Sequence, residues 1–164
     1  MSTNSTLLKA TLGAVTIGSI VAVALTSLNA NSSAHATDRR PLLSGSQVPS
    51  SVRSIVERAC QDCHSANTHW PWYSSVPPLS WQIHKDVAQG RAFMDLSKWN
   101  EYTDGERNGL LVSIAAAAQA HLMPPAKYVL LHPEARLSDA ERHSLRAWAL
   151  SERKAISSKR VLRP

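Results

Sequence analysis

The chain has 164 residues, a length typical of one domain with extensions, and a formal net charge of +6. Residues 37–150 hold twelve Lys/Arg and eleven Asp/Glu, a net +1, whereas residues 151–164 hold five Lys/Arg and one Glu, a net +4. This distribution argues against a nucleic-acid-binding domain. It predicts a basic tail over 151–164 that is solvated and poorly ordered, with contact to acidic lipid or a negatively charged partner as an alternative.

The first 36 residues have the pattern of an export signal. Lys9 precedes an uncharged run over 10–28, and small residues follow up to the A-x-A sequence 34–36. We expect cleavage after Ala36. The run is also just long enough to span a bilayer, so an uncleaved membrane anchor is the alternative. Either interpretation places the rest of the chain in the periplasm or elsewhere outside the cytoplasm. Residues 37–48 are polar and irregular, and they predict a linker.

Helical patterns account for the rest, which predicts an all-α domain over residues 49–150. The first helix starts at Pro49, and apolar residues then recur at i, i+3, i+4 and i+7 over 52–59. Residues 65–79 contain three prolines and predict a loop, after which Ser80 can cap a second helix. Thr103 and Ser138 each stand three residues before a Glu, a capping box that begins a third and a fourth helix. No segment shows strand alternation.

Residues 60–64 read CQDCH, the sequence to which c-type haem is attached. Cys60 and Cys63 are spaced to form thioethers with the two vinyl groups of one porphyrin, and His64 then lies under the iron as the proximal ligand. The predicted cofactor is therefore one covalent haem c.

Other interpretations of the two cysteines are weaker. A disulfide across C-x-x-C would close a very small loop and stabilise little. A thioredoxin-type redox motif needs a βαβ context, and a structural zinc site usually needs four ligands, so two histidines would have to complete it.

Aromatic residues crowd the segment after the motif. A buried haem needs apolar walls, and Trp70, Trp72, Tyr73 and Trp81 are candidates for them. Ordinary core and loop packing is the alternative for each residue.

The sixth iron ligand decides the chemistry, because His/Met ligation gives a high-potential electron carrier. Met123 directly precedes two prolines that stiffen its loop, and it is our choice. Met94 near a helix end is the other thioether. His121 and His84 are the candidates for a bis-His site.

The motifs CxxCHS, WPWYS, PxSW, GR, MPPxxY, HPxAxLS and a late Trp fall within residues 50–150. In these the chain resembles the bacterial haem-binding domain family of small exported c-type cytochromes. The resemblance implies an all-helical cytochrome c fold with His64 as the proximal ligand, and it favours Met123 as the distal one. The chain departs from the family pattern at Met94-Asp95, where Leu-Asn is expected, which adds a second thioether.

Haem propionates need hydrogen-bond donors where they are buried, and Arg91 in GR and Tyr128 after MPP are the candidates. The leading hypothesis is an electron-transfer cytochrome that serves a redox partner protein. The alternatives are a sensor or peroxidase-like enzyme with an open or displaceable sixth ligand position, and a haem-anchored interaction module. No acid–base pair is evident from the sequence.

Overall fold

A computed structural model of the chain describes residues 40–161, so the predicted export signal lies outside the described residues. Within that range the chain forms six α-helices and no β-strand. The helices are α1 (Ser50–Ala59), α2 (Gln61–His64), α3 (Leu79–Phe93), α4 (Asp104–Gln119), α5 (Ala126–Leu131) and α6 (Asp139–Val161). Single 3₁₀ turns occupy Trp72–Ser75, Leu96–Lys98 and Pro133–Ala135. The predicted all-α class is confirmed, with two short helices more than expected.

The helix starts follow from local chemistry. Thr103 and Glu106 form the expected capping box, in which the Thr103 hydroxyl accepts from the Glu106 N–H and the Glu106 carboxylate accepts from the Thr103 N–H. Ser138 and Glu141 make the same pair of bonds at the start of α6. α1 follows Pro49, and its buried residues are the four predicted from the apolar spacing: Val52, Ile55, Val56 and Ala59.

The core lies where α4 and α6 pack along each other and α1 packs against α6. Trp99 and Leu111 are fully buried there, and Trp148 is nearly so. None of the helices within residues 40–161 is both long enough and apolar enough to cross a bilayer.

Residues 40–48 are folded against the core rather than forming the predicted linker. Leu42 and Leu43 are buried. The indole N–H of Trp99 donates to Ser46 Oγ (2.8 Å), and that of Trp148 donates to the Gln47 carbonyl (2.9 Å). The polar side chains of this segment suggested a linker, but its neighbours use it to satisfy two buried indoles.

The predicted poorly ordered tail is also wrong over 151–161, because α6 continues through Val161. Ile156 extends the apolar face formed by Leu145 and Ala149, and it is buried in the core. Packing on that face sustains the helix despite the concentration of positive charge.

Candidate functional site

The C-x-x-C-H residues lie at the junction of α1 and the one-turn helix α2. Cys60 ends α1, with its N–H bonded to the Val56 carbonyl (3.0 Å), and its own carbonyl accepts from the His64 N–H (3.0 Å). Cys63 and His64 complete the single turn of α2. All three side chains line the same cavity.

The cavity has a volume of about 380 Å³ and a mainly apolar lining. The first part of its lining comes from the C-x-x-C-H turn, the loop after it and α3. The second part comes from residues 123–132, which contribute Met123, Pro124, Pro125, Lys127, Tyr128, Leu131 and His132. A cavity with two thiols and an imidazole in its wall, and apolar residues elsewhere, suits a flat apolar cofactor that is held by sulfur and nitrogen.

Both thiols are free, and both are kept protonated. Burial, and next the neighbouring Cys63, raises the pKa of Cys60 to about 12. Burial also raises the pKa of Cys63, reinforced by Asp62. Since the thiolate is the form that exchanges with disulfides, neutral thiols disfavour a redox role. No three His, Cys, Asp or Glu of residues 40–161 are grouped to hold a metal ion.

The His64 ring is oriented by the backbone that follows α3. Its Nδ1 lies 3.2 Å from the Met94 carbonyl oxygen, which can only accept. Nδ1 therefore carries the hydrogen, and Nε2 keeps its lone pair for a metal.

Gly90 allows α3 to pass directly over the attachment turn. A Cβ at this position would lie well inside van der Waals distance of the Cys63 carbonyl oxygen. The glycine of the GR motif thus sets the distance between α3 and the cysteines. From the sequence Gly90 is recognisable only as part of a motif, and this role is not.

Of the four candidates for the sixth ligand, Met123 alone lines the cavity. The Met94 side chain is buried in the hydrophobic core. His84 stacks on Trp70 with ring centroids 4.8 Å apart, and His121 lines a separate shallow depression between α4 and α6.

The backbone around Met123 is fixed on both sides. His121 adopts φ 56°, and the Leu122 N–H bonds to the Ala117 carbonyl (3.0 Å), which is the Schellman geometry that ends α4 and turns the chain. Arg142 on α6 donates from Nη1 to the Met123 carbonyl (3.1 Å). The chain thus presents Met123 from an anchored turn.

Tyr128 ties the two parts of the cavity lining together. Its hydroxyl donates to Asp62 Oδ2 (2.8 Å), while Asp62 Oδ1 accepts from the His69 N–H (2.9 Å). Burial, and then the Asp62 carboxylate, raises the pKa of Tyr128, so the phenol stays a donor. Asp62 is one of the two variable positions of the motif, and nothing in the sequence indicated its partners.

Arg91 does not line the cavity. Its guanidinium donates from Nε to the Ser65 carbonyl (2.7 Å) and from Nη2 to Thr68 Oγ1 (2.6 Å). In the structure it therefore fixes the loop after the motif, and its expected role as a propionate donor stays a prediction. Tyr128 does line the cavity, although its hydroxyl is already bonded to Asp62.

The predicted aromatic wall is only half assembled. Trp70 and Tyr73 line the cavity, whereas Trp72 and Trp81 do not and point into solvent. Composition could not separate Trp72 from Tyr73, because they are neighbours on the 3₁₀ turn at Trp72–Ser75, where successive side chains point in different directions.

His132 is a cavity residue that nothing in the sequence singles out. Its Nε2 lies 2.7 Å from the Tyr73 hydroxyl and its Nδ1 lies 3.2 Å from Glu134 Oε1, while Tyr128 stacks on the ring at 4.3 Å. A carboxylate, an imidazole and a phenol in series form an acid–base group of the kind that the sequence had not revealed.

Comparisons with known proteins agree with a haem site. The chain is 26% identical over 100 residues to the cytochrome c peroxidase Ccp of Escherichia coli (strain K12), a match that covers 59% of this chain and 22% of the relative. The chain thus spans about a fifth of the relative's length. No solved structure matches the chain. The model of the family described as "Haem-binding domain" matches residues 18–151, so the chain belongs to the haem-binding domain family.

Proposed function

We propose that the protein is an exported electron-transfer cytochrome with one covalent haem c, held by Cys60, Cys63 and His64 and closed by Met123. One observation carries the proposal: a single mainly apolar cavity is lined by both thiols, the His64 imidazole and the Met123 thioether. The family model supports the haem itself.

The protein's own groups suit covalent attachment. Each neutral thiol adds across one vinyl group, so that an S–C bond forms and the S–H hydrogen moves to the second vinyl carbon. The net addition needs no oxidant or reductant. The placement of the two sulfurs on one turn would set which of the two vinyl groups each sulfur reaches.

Bound haem supplies a one-electron iron couple. The iron ligands then set the reduction potential, because one imidazole and one thioether give a higher reduction potential than two imidazoles. His64 would be held in one orientation by the Met94 carbonyl, and the backbone from which Met123 projects is held by the Arg142 contact. Fixed ligands change little between oxidation states, which is what an electron carrier requires.

The second candidate is a peroxidase-like enzyme with a displaceable sixth ligand. Two observations favour it: the likeness to a protein named a cytochrome c peroxidase, and the series Glu134–His132–Tyr73 at the cavity. In that case His132 would move protons for a substrate, and His132→Asn would reduce peroxide turnover without changing the haem content.

Attachment is tested by denaturing electrophoresis followed by a haem stain. Haem should remain on the unmodified chain, and Cys60→Ala or Cys63→Ala should sharply reduce the stained product. Complete release of haem from the unmodified chain by acid–organic extraction would overturn the c-type assignment.

Ligation is tested by the weak far-red charge-transfer band that a thioether gives with ferric haem. Met123→Ala should abolish the band. Met94→Ala, the matched control, should cost about 2–5 kcal/mol of stability and leave the band in place. A high-spin ferric spectrum in the unmodified protein would favour the enzyme over the carrier.

A further inference from the structure

Two tryptophan side chains are largely exposed to solvent. Trp72 is 82% exposed and Trp81 is 70% exposed, and neither lines the haem cavity, so a bound haem leaves them uncovered. They belong to one region. Trp70 stacks on His84, and His84 lies one helical turn after Trp81 on α3. We call Trp70, Trp72, Trp81 and His84 the aromatic face.

The loop that carries this face is fixed by hydrogen bonds. Ser65 Oγ accepts from the Asn67 N–H (3.0 Å), and Ser74 donates from its N–H and its hydroxyl to the Pro71 carbonyl (2.9 and 2.6 Å). The 3₁₀ turn at Trp72–Ser75 also packs against α3. The exposure of the indoles is therefore a property of an ordered surface.

The charge of this stretch is one-sided. No Asp or Glu occurs from Cys63 through Lys85, whereas the same residues include Lys85, His69 and His84 in exposed positions. Asp86 follows Lys85 on α3, but its carboxylate is paired with Lys127 Nζ (2.7 Å) and so does not offset the charge of Lys85. An exposed apolar surface beside this charge complements an anionic surface. Indoles prefer the boundary between apolar and aqueous phases, because the ring is apolar and the N–H is polar.

The chain enters the described domain beside this face. The Arg40 N–H donates to Asn67 Oδ1 (3.0 Å), and Asn67 Nδ2 donates to the Arg40 carbonyl (2.8 Å). Asn67 is three residues before Trp70. In the sequence, twelve residues lead from the end of the uncharged run at Leu28 to Arg40, and a chain of that length reaches at most about 40 Å.

We propose that the aromatic face rests on a lipid bilayer, with Trp72 and Trp81 in the headgroup region and Lys85 near anionic lipid. This contact differs from the membrane association expected through the N-terminal segment or the basic tail. The bilayer contact requires neither Met123 ligation nor a particular redox function, so its test is independent of the test of the proposed function.

The test uses the full chain with haem, reconstituted in vesicles of phosphatidylethanolamine and phosphatidylglycerol that carry a photoreactive lipid. After illumination, mass spectrometry locates the labelled residues. The proposal expects label on residues 70–85 and none on the exposed side of α4. Label that is confined to residues 10–28, or spread over all exposed surfaces, would overturn it.

Variants separate lipid from protein as the occupant. Trp72→Ser combined with Trp81→Ser should reduce the label on residues 70–85 at least about tenfold, because burial of one large apolar side chain is itself worth more than that factor. Val112→Ser removes an exposed apolar side chain from α4 and should change nothing. Capture of a protein in cells by a crosslinker at position 72 or 81, without lipid label, would refute the bilayer as the occupant.

Discussion

Replacing Tyr128 by Phe removes the hydrogen bond that joins residues 123–132 to the attachment turn. The bond runs to a carboxylate, Asp62 Oδ2, over 2.8 Å, and both groups are partly buried. A hydrogen bond to a charged group contributes about 1.5–3 kcal/mol, so Tm should fall by about 5–15 °C. Asp62 keeps the His69 N–H, which limits the loss to this one bond.

The same change should weaken the far-red band of ferric haem, since Tyr128 lies five residues after Met123 and fixes its segment. Trp148→Phe is the control. The Trp148 indole N–H donates to the Gln47 carbonyl (2.9 Å) outside the cavity lining, so this variant should lose stability with an unchanged band. Thermal unfolding and absorption spectra of both variants decide the matter. If Tyr128→Phe keeps the far-red band at full intensity and an unchanged Tm, the hydrogen bond to Asp62 does not hold the Met123 segment. Equal loss of the band in both variants would indicate that any loss of stability disturbs the site.

Gly90→Ala should displace the Cys63 backbone and reduce the yield of haem-bearing protein, whereas Gly109→Ala, which has open space around it on α4, should raise stability by about 0.5–1 kcal/mol. Equal haem yields in the two variants would show that α3 can move aside. Glu141→Gln tests the pH dependence of the α6 cap: the Ser138 N–H lowers the pKa of Glu141, so its stabilisation is complete above the unfolded value of about 4.3 and disappears as the pH falls through the folded pKa. The variant keeps a hydrogen-bond acceptor but loses the charge that also faces Arg58, so it should lose about 0.2–1 kcal/mol at pH 7 and almost nothing in strong acid, as measured by denaturant unfolding at each pH. The same loss at both would contradict the assignment.

Local patterns predicted the parts of the fold that local chemistry determines. The capping boxes at Thr103 and Ser138 and the apolar spacing of α1 each depend on residues within two turns of one another. Helix α5 is not predicted by the sequence, because Pro124 and Pro125 indicate a stiff loop after Met123, although Pro125 also stands at the start of a helix. The end of α6 was missed because its charge outweighed one apolar residue, Ile156.

The parts of the site that belong to recognisable sequence motifs were predictable. The C-x-x-C-H turn and the MPP segment meet at one cavity, as the sequence suggested. The roles of Asp62, His132 and Gly90 depend on contacts between distant segments, which no spacing rule encodes. Which tryptophan faces the cavity and which faces solvent depends on the same tertiary geometry.

The hydrogen bonds that join the two parts of the cavity lining set an order on folding. Asp62 and Tyr128 are 66 residues apart, and Tyr73 and His132 are 59 apart, so each bond closes a long loop. Such contacts form late, because closing a long loop costs chain entropy before the new contact stabilises the fold. Cys60, Cys63 and His64, by contrast, meet within a single turn. Under the proposed covalent attachment, haem would therefore be joined to a still open polypeptide, and the Met123 segment would close over it afterwards.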